Sequence, residues 1–422
     1  MQFIMSDSAK PSLQIFKIRN FRYFITGRFF TTLAIQMQMT TIGLQVYYEY
    51  THSAFSLGLT GLFEALPFIG ASFFSGYISD KYNRKNIIII ALCALVLCSV
   101  LLFAISTHKI PLIDNISYYA IFGVIVLVGI IRAFWAATMN PLMSQLVDRE
   151  FYTVSATYNS TAWHIGSITG PILAAFLYGM NGSYHAEKIY FINIVLFLVG
   201  VLFFTLIKYK RPLVHQVKEG IIQSLQTGVR FVFKQKMLLS AISLDLFAVF
   251  FGGAVTILPA FTDQVLHATP QDLGLLRTAP AIGAVLMAFV LMVKPPTKDA
   301  GKLLLGAVIM FGVFTIAFGF CTNYWVAFAM LLLTGAFDNI SVVIRTSIMQ
   351  LMTPDEMRGR VSAVNSVFIG SSNEIGGFES GFAARLMGLV PSVIFGGGMT
   401  ILVVAVINKL NPKIKKLDLS KV

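Results

Sequence analysis

Eight ionisable side chains stand in stretches of sequence that otherwise hold little but hydrocarbon: Arg28, Glu64, Arg132, Asp245, Asp338, Arg345, Glu374 and Glu379. Each costs at least about 2.5–3.5 kcal/mol at the centre of an isolated membrane helix, so each must face a partner or a water-filled path. Burial raises a carboxyl group's hold on its proton and a neighbouring arginine lowers it, which is the chemistry that proton-coupled exchange of a cargo requires. The arginines suit carboxylate or catecholate groups, because a guanidinium offers several N–H donors in a fixed fork. Asp338 and Arg345 are seven residues apart, two turns along one helical face. Gln36 and Gln38 add neutral donors and acceptors. The competing structural reading is that several of these charges form permanent interhelical ion pairs, with Arg132 or Arg385 as partner. His164 reads as a packing histidine. No nucleophile, base and orienting group can be assembled from the sequence, nor any metal-ligand spacing, so neither an enzyme nor a cofactor is expected. No Gly-x-x-x-x-Gly-Lys-Ser/Thr loop occurs, so work against a gradient must draw on an ion gradient, with protons the expected coupling ion.

The elements that must position these residues follow from composition. Of 422 residues 56% are hydrophobic and only 12% charged, and the mean hydropathy is +0.76; a soluble domain carries roughly 25% charged residues. Most of the surface must therefore face lipid. Runs such as 87–105, 118–131, 189–207, 303–320 and 392–407 approach the roughly 20 residues that cross a bilayer as a helix, and the alternating pattern of an outer-membrane barrel is absent. The net charge of +13 sits in a few short loops, which points to the positive-inside rule and not to nucleic acid, and places both termini in the cytoplasm. Two cytoplasmic termini require an even number of spans. Twelve are expected, near 20–48, 55–79, 86–106, 118–143, 151–179, 188–208, 237–262, 270–293, 302–321, 324–350, 358–386 and 388–408. Met1 to Phe16 lacks the apolar core of a signal peptide, so the first span is expected to target the chain to a bacterial inner membrane. Cys93, Cys98 and Cys321 fall within spans and read as small core residues.

The expected organisation is a six-helix bundle over 1–208, a cytoplasmic linker over 209–236 and a second six-helix bundle over 237–422. In the linker Ile221, Leu225 and Val232 lie near one helical face, with Ile222 and Val229 beside them and Lys218, Arg230 and Lys234 supplying charge, which predicts an interfacial helix. The halves repeat. Leu57-Gly-Leu and Ala65-Leu-Pro-Phe-Ile-Gly-Ala return as Leu273-Gly-Leu and Ala279-Pro-Ala-Ile-Gly-Ala; the stretch from Pro141 to Ala156 returns from Ile348 to Ala363.

Gly76-Tyr-Ile-Ser-Asp80-Lys81-Tyr82-Asn83-Arg84-Lys85 resembles the major facilitator loop signature Gly-x-x-x-Asp-Arg/Lys-x-Gly-Arg-Arg/Lys. The resemblance implies a latch built on Gly76, Asp80, Arg84 and Lys85, with Gly76 allowing close helix approach, Asn83 taking the left-handed turn usually given to glycine, and Asp148 pairing with Arg84. Gly166-Ser-Ile-Thr-Gly170-Pro171 resembles the fifth-helix motif of exporters in that superfamily. Phe63-Glu-Ala-Leu-Pro67, the segment 245–254, Asp338-Asn339, Arg358-Gly-Arg360-Val-Ser and Asn373-Glu374-Ile-Gly-Gly-Phe-Glu379 narrow it to the branch of enterobactin exporters and macrolide-efflux relatives. In that fold helices one, four, seven and ten line a central cavity. The resemblance therefore puts Arg28, Arg132, Asp245, Asp338 and Arg345 first for substrate and proton handling, with Glu64, Glu374 and Glu379 fitting by chemistry. It implies a monomeric, proton-coupled exporter of a small amphiphilic or anionic molecule, siderophore- or drug-like, working by alternating access in a lipid bilayer. Alternatives are an importer of the same fold, a lysophospholipid flippase and a non-transporting scaffold or sensor.

Overall fold

A chain in hydrocarbon must satisfy its backbone polar groups internally, and long apolar runs do so as helices. The computed structural model describes residues 14–107, 116–148, 151–180, 185–208, 221–253, 255–294, 296–354 and 357–419, among which no strand occurs. The helices are α1 (Arg19–Gln45), α2 (Ala54–Lys81), α3 (Arg84–Ser106), α4 (Ser117–Ser144), α5 (Tyr152–Tyr178), α6 (Ala186–Leu206), α7 (Ile221–Lys234), α8 (Lys236–Gly252), α9 (Leu258–Gln264), α10 (Pro270–Val293), α11 (Ala300–Gly319), α12 (Tyr324–Met352), α13 (Arg358–Met387) and α14 (Leu389–Leu410). Among the described residues, α2, α3, α4, α6, α10, α11, α12 and α14 are each apolar and long enough to cross a bilayer. Three more, α1, α5 and α13, have spanning length at 27, 27 and 30 residues but carry more polar side chains.

The continuous seventh span expected over 237–262 is instead two helices. α8 stops at Gly252, and α9 restarts at Leu258 with Pro259 in its first turn. Adjacent glycines weaken a helix, and a proline is tolerated only where no N–H is required. α13 packs against the break: a Cβ on Gly376 would lie 2.7 Å from the Phe250 carbonyl oxygen, and one on Gly377 would lie 2.6 Å from Thr256 Oγ1. Elsewhere local chemistry sets the ends. Thr269 and Asp272 form a reciprocal capping box at α10, and the Asn323 side chain accepts from the first amides of α12. α1 runs on into a π-helical turn, Val46–Thr51, that ends at His52 with φ of +47°.

The chain divides into two compact units, Met1–Gln45 with Leu66–Gln216, and Val46–Ala65 with Val217–Val422. In unit 1, α1 packs on α5 and α6, and α3 on α4 and α6. Unit 2 repeats the scheme, with α8 on α13 and α14, and α11 on α12 and α14. The two proline-bearing helices of the sequence repeat, α2 and α10, keep Pro67 and Pro280 inside them. The apolar core of unit 2 gathers Leu238, Leu244, Leu304, Ile348, Val361 and Ile414. Val232 of α7 is fully buried in that core, so this end of the linker helix packs on protein. The 209–220 part of the linker lies outside the described residues, as do the side chains of Ile221, Ile222 and Leu225. After α14 the chain straps back onto the start of α11, where Gly301 donates to the Leu417 carbonyl at 3.0 Å.

Two packing expectations are corrected. Cys93 is exposed on α3, while Cys98 and Cys321 are buried. His164 is exposed, with its ring edge-on to Trp163 at 4.9 Å between centroids.

Candidate functional site

In unit 2, α8 carries Asp245 against the inner face of α12. The Arg345 Nη1 forms an ion pair with Asp245 Oδ1, and its Nη2 lies 3.9 Å from Asp338 Oδ1. The Arg345 Nε donates to the Ser341 carbonyl one turn back, at 3.2 Å, which fixes the fork between the two acids. The Asp245 and Arg345 side chains are 9% and 12% exposed, that of Asp338 45%. A buried pair neutralises itself in a medium of low polarity. Asp338 stands at the outer limit of ion-pair distance and is open, so one guanidinium serves one acid tightly and a second loosely. That second acid can exchange a proton without breaking the buried pair. The partner of Asp245 is thus Arg345, and neither Arg132 nor Arg385; Arg385 lies over the Phe55 ring at 4.6 Å.

Unit 1 has a different chemistry. Arg28 is 8% exposed, and its guanidinium carbon lies 4.5 Å from the Trp135 ring centroid on α4. Arg132 stands half-buried three residues before that tryptophan. Farther along α1, the Gln36 Nε2 donates to Ser167 Oγ on α5 at 3.3 Å, and Ser99 on α3 donates to Gln38 Oε1 at 3.5 Å. The Gly166–Gly170 pair faces this stretch: a Cβ on Gly166 would meet Thr32 at 3.0 Å, and one on Gly170 would meet Gln36 at 2.7 Å. Small residues here let α5 lie against α1, as in other close membrane helix pairs. Pro171 follows within α5.

The remaining expected residues are scattered. Glu64 is buried on α2 and Glu379 half-buried on α13. The side chains of Asp80 and Glu374 lie outside the described residues. In the loop after α2, Lys85 Nζ donates to the Thr205 and Ile207 carbonyls at 2.8 and 2.7 Å, tying the start of α3 to the end of α6. Arg84 turns back so that its Nε donates to the Ser79 carbonyl at 3.2 Å, while Asp148 is exposed and unpaired with it. Asn83 takes no left-handed turn. Its φ is −68°, and its side chain caps α3 by accepting from the Asn86 amide, which an asparagine at this position does well. A Cβ on Gly76 would meet nothing within 4 Å, so no close helix approach depends on it here.

A polar cluster that the sequence reading passed over lies in unit 2, at the turn between α1 and α2. Tyr47 Oη donates to Asp263 Oδ2 at 2.9 Å; Gln264 Nε2 donates to Tyr47 Oη at 2.8 Å and to the His52 carbonyl at 3.1 Å. Nearby, a Cβ on Gly58 would lie 3.1 Å from Gly381 Cα. Asp263, a lone acid at the end of the broken seventh helix, was the available signal. Trp135 was also missed; its place one turn from Arg132 could have marked it.

Comparison with known proteins gives one consistent picture. Residues 24–377 match the Major Facilitator Superfamily. The chain is 22% identical over 413 residues to the staphyloferrin A transporter of Staphylococcus aureus, covering 93% of this chain and 97% of that one. It is 22% identical over 386 residues to the enterobactin exporter of Citrobacter koseri, covering 90% and 89%. Among solved structures the nucleoside transporter NupG superposes with a TM-score of 0.69 at 14% identity, over 93% of this chain and 98% of the other.

Proposed function

The chain belongs to the Major Facilitator Superfamily of membrane transporters, and from that premise we propose that it is a proton-coupled exporter of a small amphiphilic molecule in a bacterial inner membrane. The observation that carries the coupling is the shared fork of Arg345 between Asp245 and Asp338. A proton arriving on the open Asp338 carboxylate removes the looser of two negative charges facing Arg345. The guanidinium then settles wholly on Asp245, and the protonated Asp338 no longer offers a carboxylate to donor groups of the cargo. Loss of that proton restores the second acid and draws the fork back. The proton and a hydrogen-bond donor of the cargo thereby compete for one carboxylate, Asp338, which is the condition for exchange of one against the other.

Outward direction is supported by Gly166-Ser-Ile-Thr-Gly170-Pro171, which resembles the fifth-helix motif of exporters and whose two glycines seat tightly on α1. The staphyloferrin A transporter and the enterobactin exporters among its relatives support a siderophore-like cargo. The test is flux into inverted vesicles with an imposed pH gradient, using a panel of siderophores and amphiphilic drugs. Asp338→Asn, which is fixed in the neutral form, should abolish pH-driven accumulation by at least tenfold while leaving downhill exchange of cargo intact. Undiminished pH-driven accumulation in that variant would refute the coupling assignment.

A further inference from the structure

Apart from Asp80 at the end of α2 and Glu187 at the start of α6, the membrane helices of unit 1 carry no acids. No Asp or Glu occurs in α1, α3, α4 or α5, and α6 has only Glu187 in its first turn, beside His185 at 3.4 Å. Arg28 is nine-tenths buried among them, and its Nε and Nη1 have no hydrogen-bond partner among the described residues. The indole Nε1 of Trp135, whose ring stacks on that guanidinium, is buried and has no acceptor either. One turn along α1 the Thr32 hydroxyl is buried in the same state. These are donors of hydrogen bonds, and the cation among them is out of water; an unpaired buried charge and unsatisfied N–H groups each cost free energy that a protein ordinarily avoids. In unit 2, by contrast, the buried Arg345 faces two carboxylates. The asymmetry has a simple resolution. An oxygen anion supplied from outside the chain would complete what the fold leaves open.

We infer that Arg28, with the Trp135 indole N–H beside it, is the recognition site for an oxyanion of the transported molecule, a carboxylate or phenolate carried next to a planar apolar group that can lie along the indole. This rests on the transport reading above but names the cargo's chemistry and separates its binding from proton coupling. The Arg28 face held against the indole leaves the edge N–H groups to grip the anion, and a planar partner keeps that edge oriented.

The experiment measures binding without any gradient. Purified protein in detergent is melted with and without benzoate, citrate or 2,3-dihydroxybenzoate, and with the neutral benzamide as control. The wild type should be stabilised by at least one of the anions and not by benzamide, since a ligand that binds only the folded state raises its melting temperature. Arg28→Gln should raise the melting temperature of the empty protein, because it removes a buried charge that has no partner, and should shift the half-saturating anion concentration upward at least tenfold. Trp135→Phe, which keeps a ring under the guanidinium but removes the N–H, should weaken the anion response severalfold. Equal stabilisation by benzamide, or an undiminished anion response in Arg28→Gln, overturns the assignment. Failure of the proton-coupling test would leave these binding results untouched, so the two readings fall separately.

Discussion

At the scale of single residues, two buried arginines do opposite things. Arg345 is satisfied by the protein and Arg28 is not, so their removal should have opposite consequences for folding. Asp245→Asn leaves Arg345 buried with only the distant Asp338 to face, and breaking one side of a buried pair costs about 3–5 kcal/mol. That variant should melt well below the wild type, and the double replacement Asp245→Leu with Arg345→Leu should recover much of the loss, because no charge is then left stranded. A double replacement melting as low as the single one would show that the pair's geometry, and not its charge, holds α8 to α12. The residue types were legible in the sequence, since a charge in an apolar run is conspicuous. Their partners were not. Asp245 and Arg345 are a hundred residues apart, and nothing in composition distinguishes that pairing from Asp245 with Arg132 or Arg385.

At the scale of helices, the pattern of apolar runs located every spanning helix but the seventh to within a few residues, because a bilayer allows few alternatives to a helix of spanning length. It could not locate the break after Gly252. Glycines are frequent in membrane helices and most of them leave the helix intact; this pair breaks it because Gly376 and Gly377 of α13 bring backbone against it. The same distinction separates glycines that look alike in sequence. Gly335 of α12 faces the backbone of Pro280 in α10, and a Cβ there would collide with its carbonyl, whereas a Cβ on Gly306 of α11 would meet nothing within 4 Å. Backbone cannot move aside as a side chain can, and overpacking of this sort costs at least about 1–3 kcal/mol. Gly335→Leu should therefore sharply reduce the yield of folded protein in the membrane, and Gly306→Leu should be accepted. Gel filtration of detergent extracts compares the two directly; equal monodisperse yields would mean that α10 and α12 are less tightly seated than their backbones indicate.

At the scale of the molecule, the sequence repeat and the recurring packing scheme of six helices express one plan, while the chemistry placed on it differs between the units. The 46–65 hairpin complicates the plan in a way that bears on transport. By sequence it joins α1 to α2, yet by its contacts it belongs to unit 2, through the Tyr47, Asp263 and Gln264 hydrogen bonds and the seat of Gly58 on Gly381. Those contacts join a hydrogen bond to the Asp263 carboxylate, the glycine seat, and the Phe55 ring lying against Phe378, Phe382 and Arg385, so parting them carries a cost that the transport cycle must offset. Alternating access, as proposed, needs this hairpin to leave its seat once per cycle. Replacing Cys93, Cys98 and Cys321 with serine, then introducing Phe55→Cys with Phe382→Cys, whose rings lie 6.4 Å apart between centroids, places two thiols across the seat without adding bulk against backbone. Oxidation should stop transport of the cargo, and dithiothreitol should restore it, while the anion-dependent rise in melting temperature survives in both states if binding at Arg28 does not require the hairpin to open. Full flux through the oxidised, cross-linked protein would mean that the hairpin rides permanently on unit 2 and that access to the cargo is controlled elsewhere.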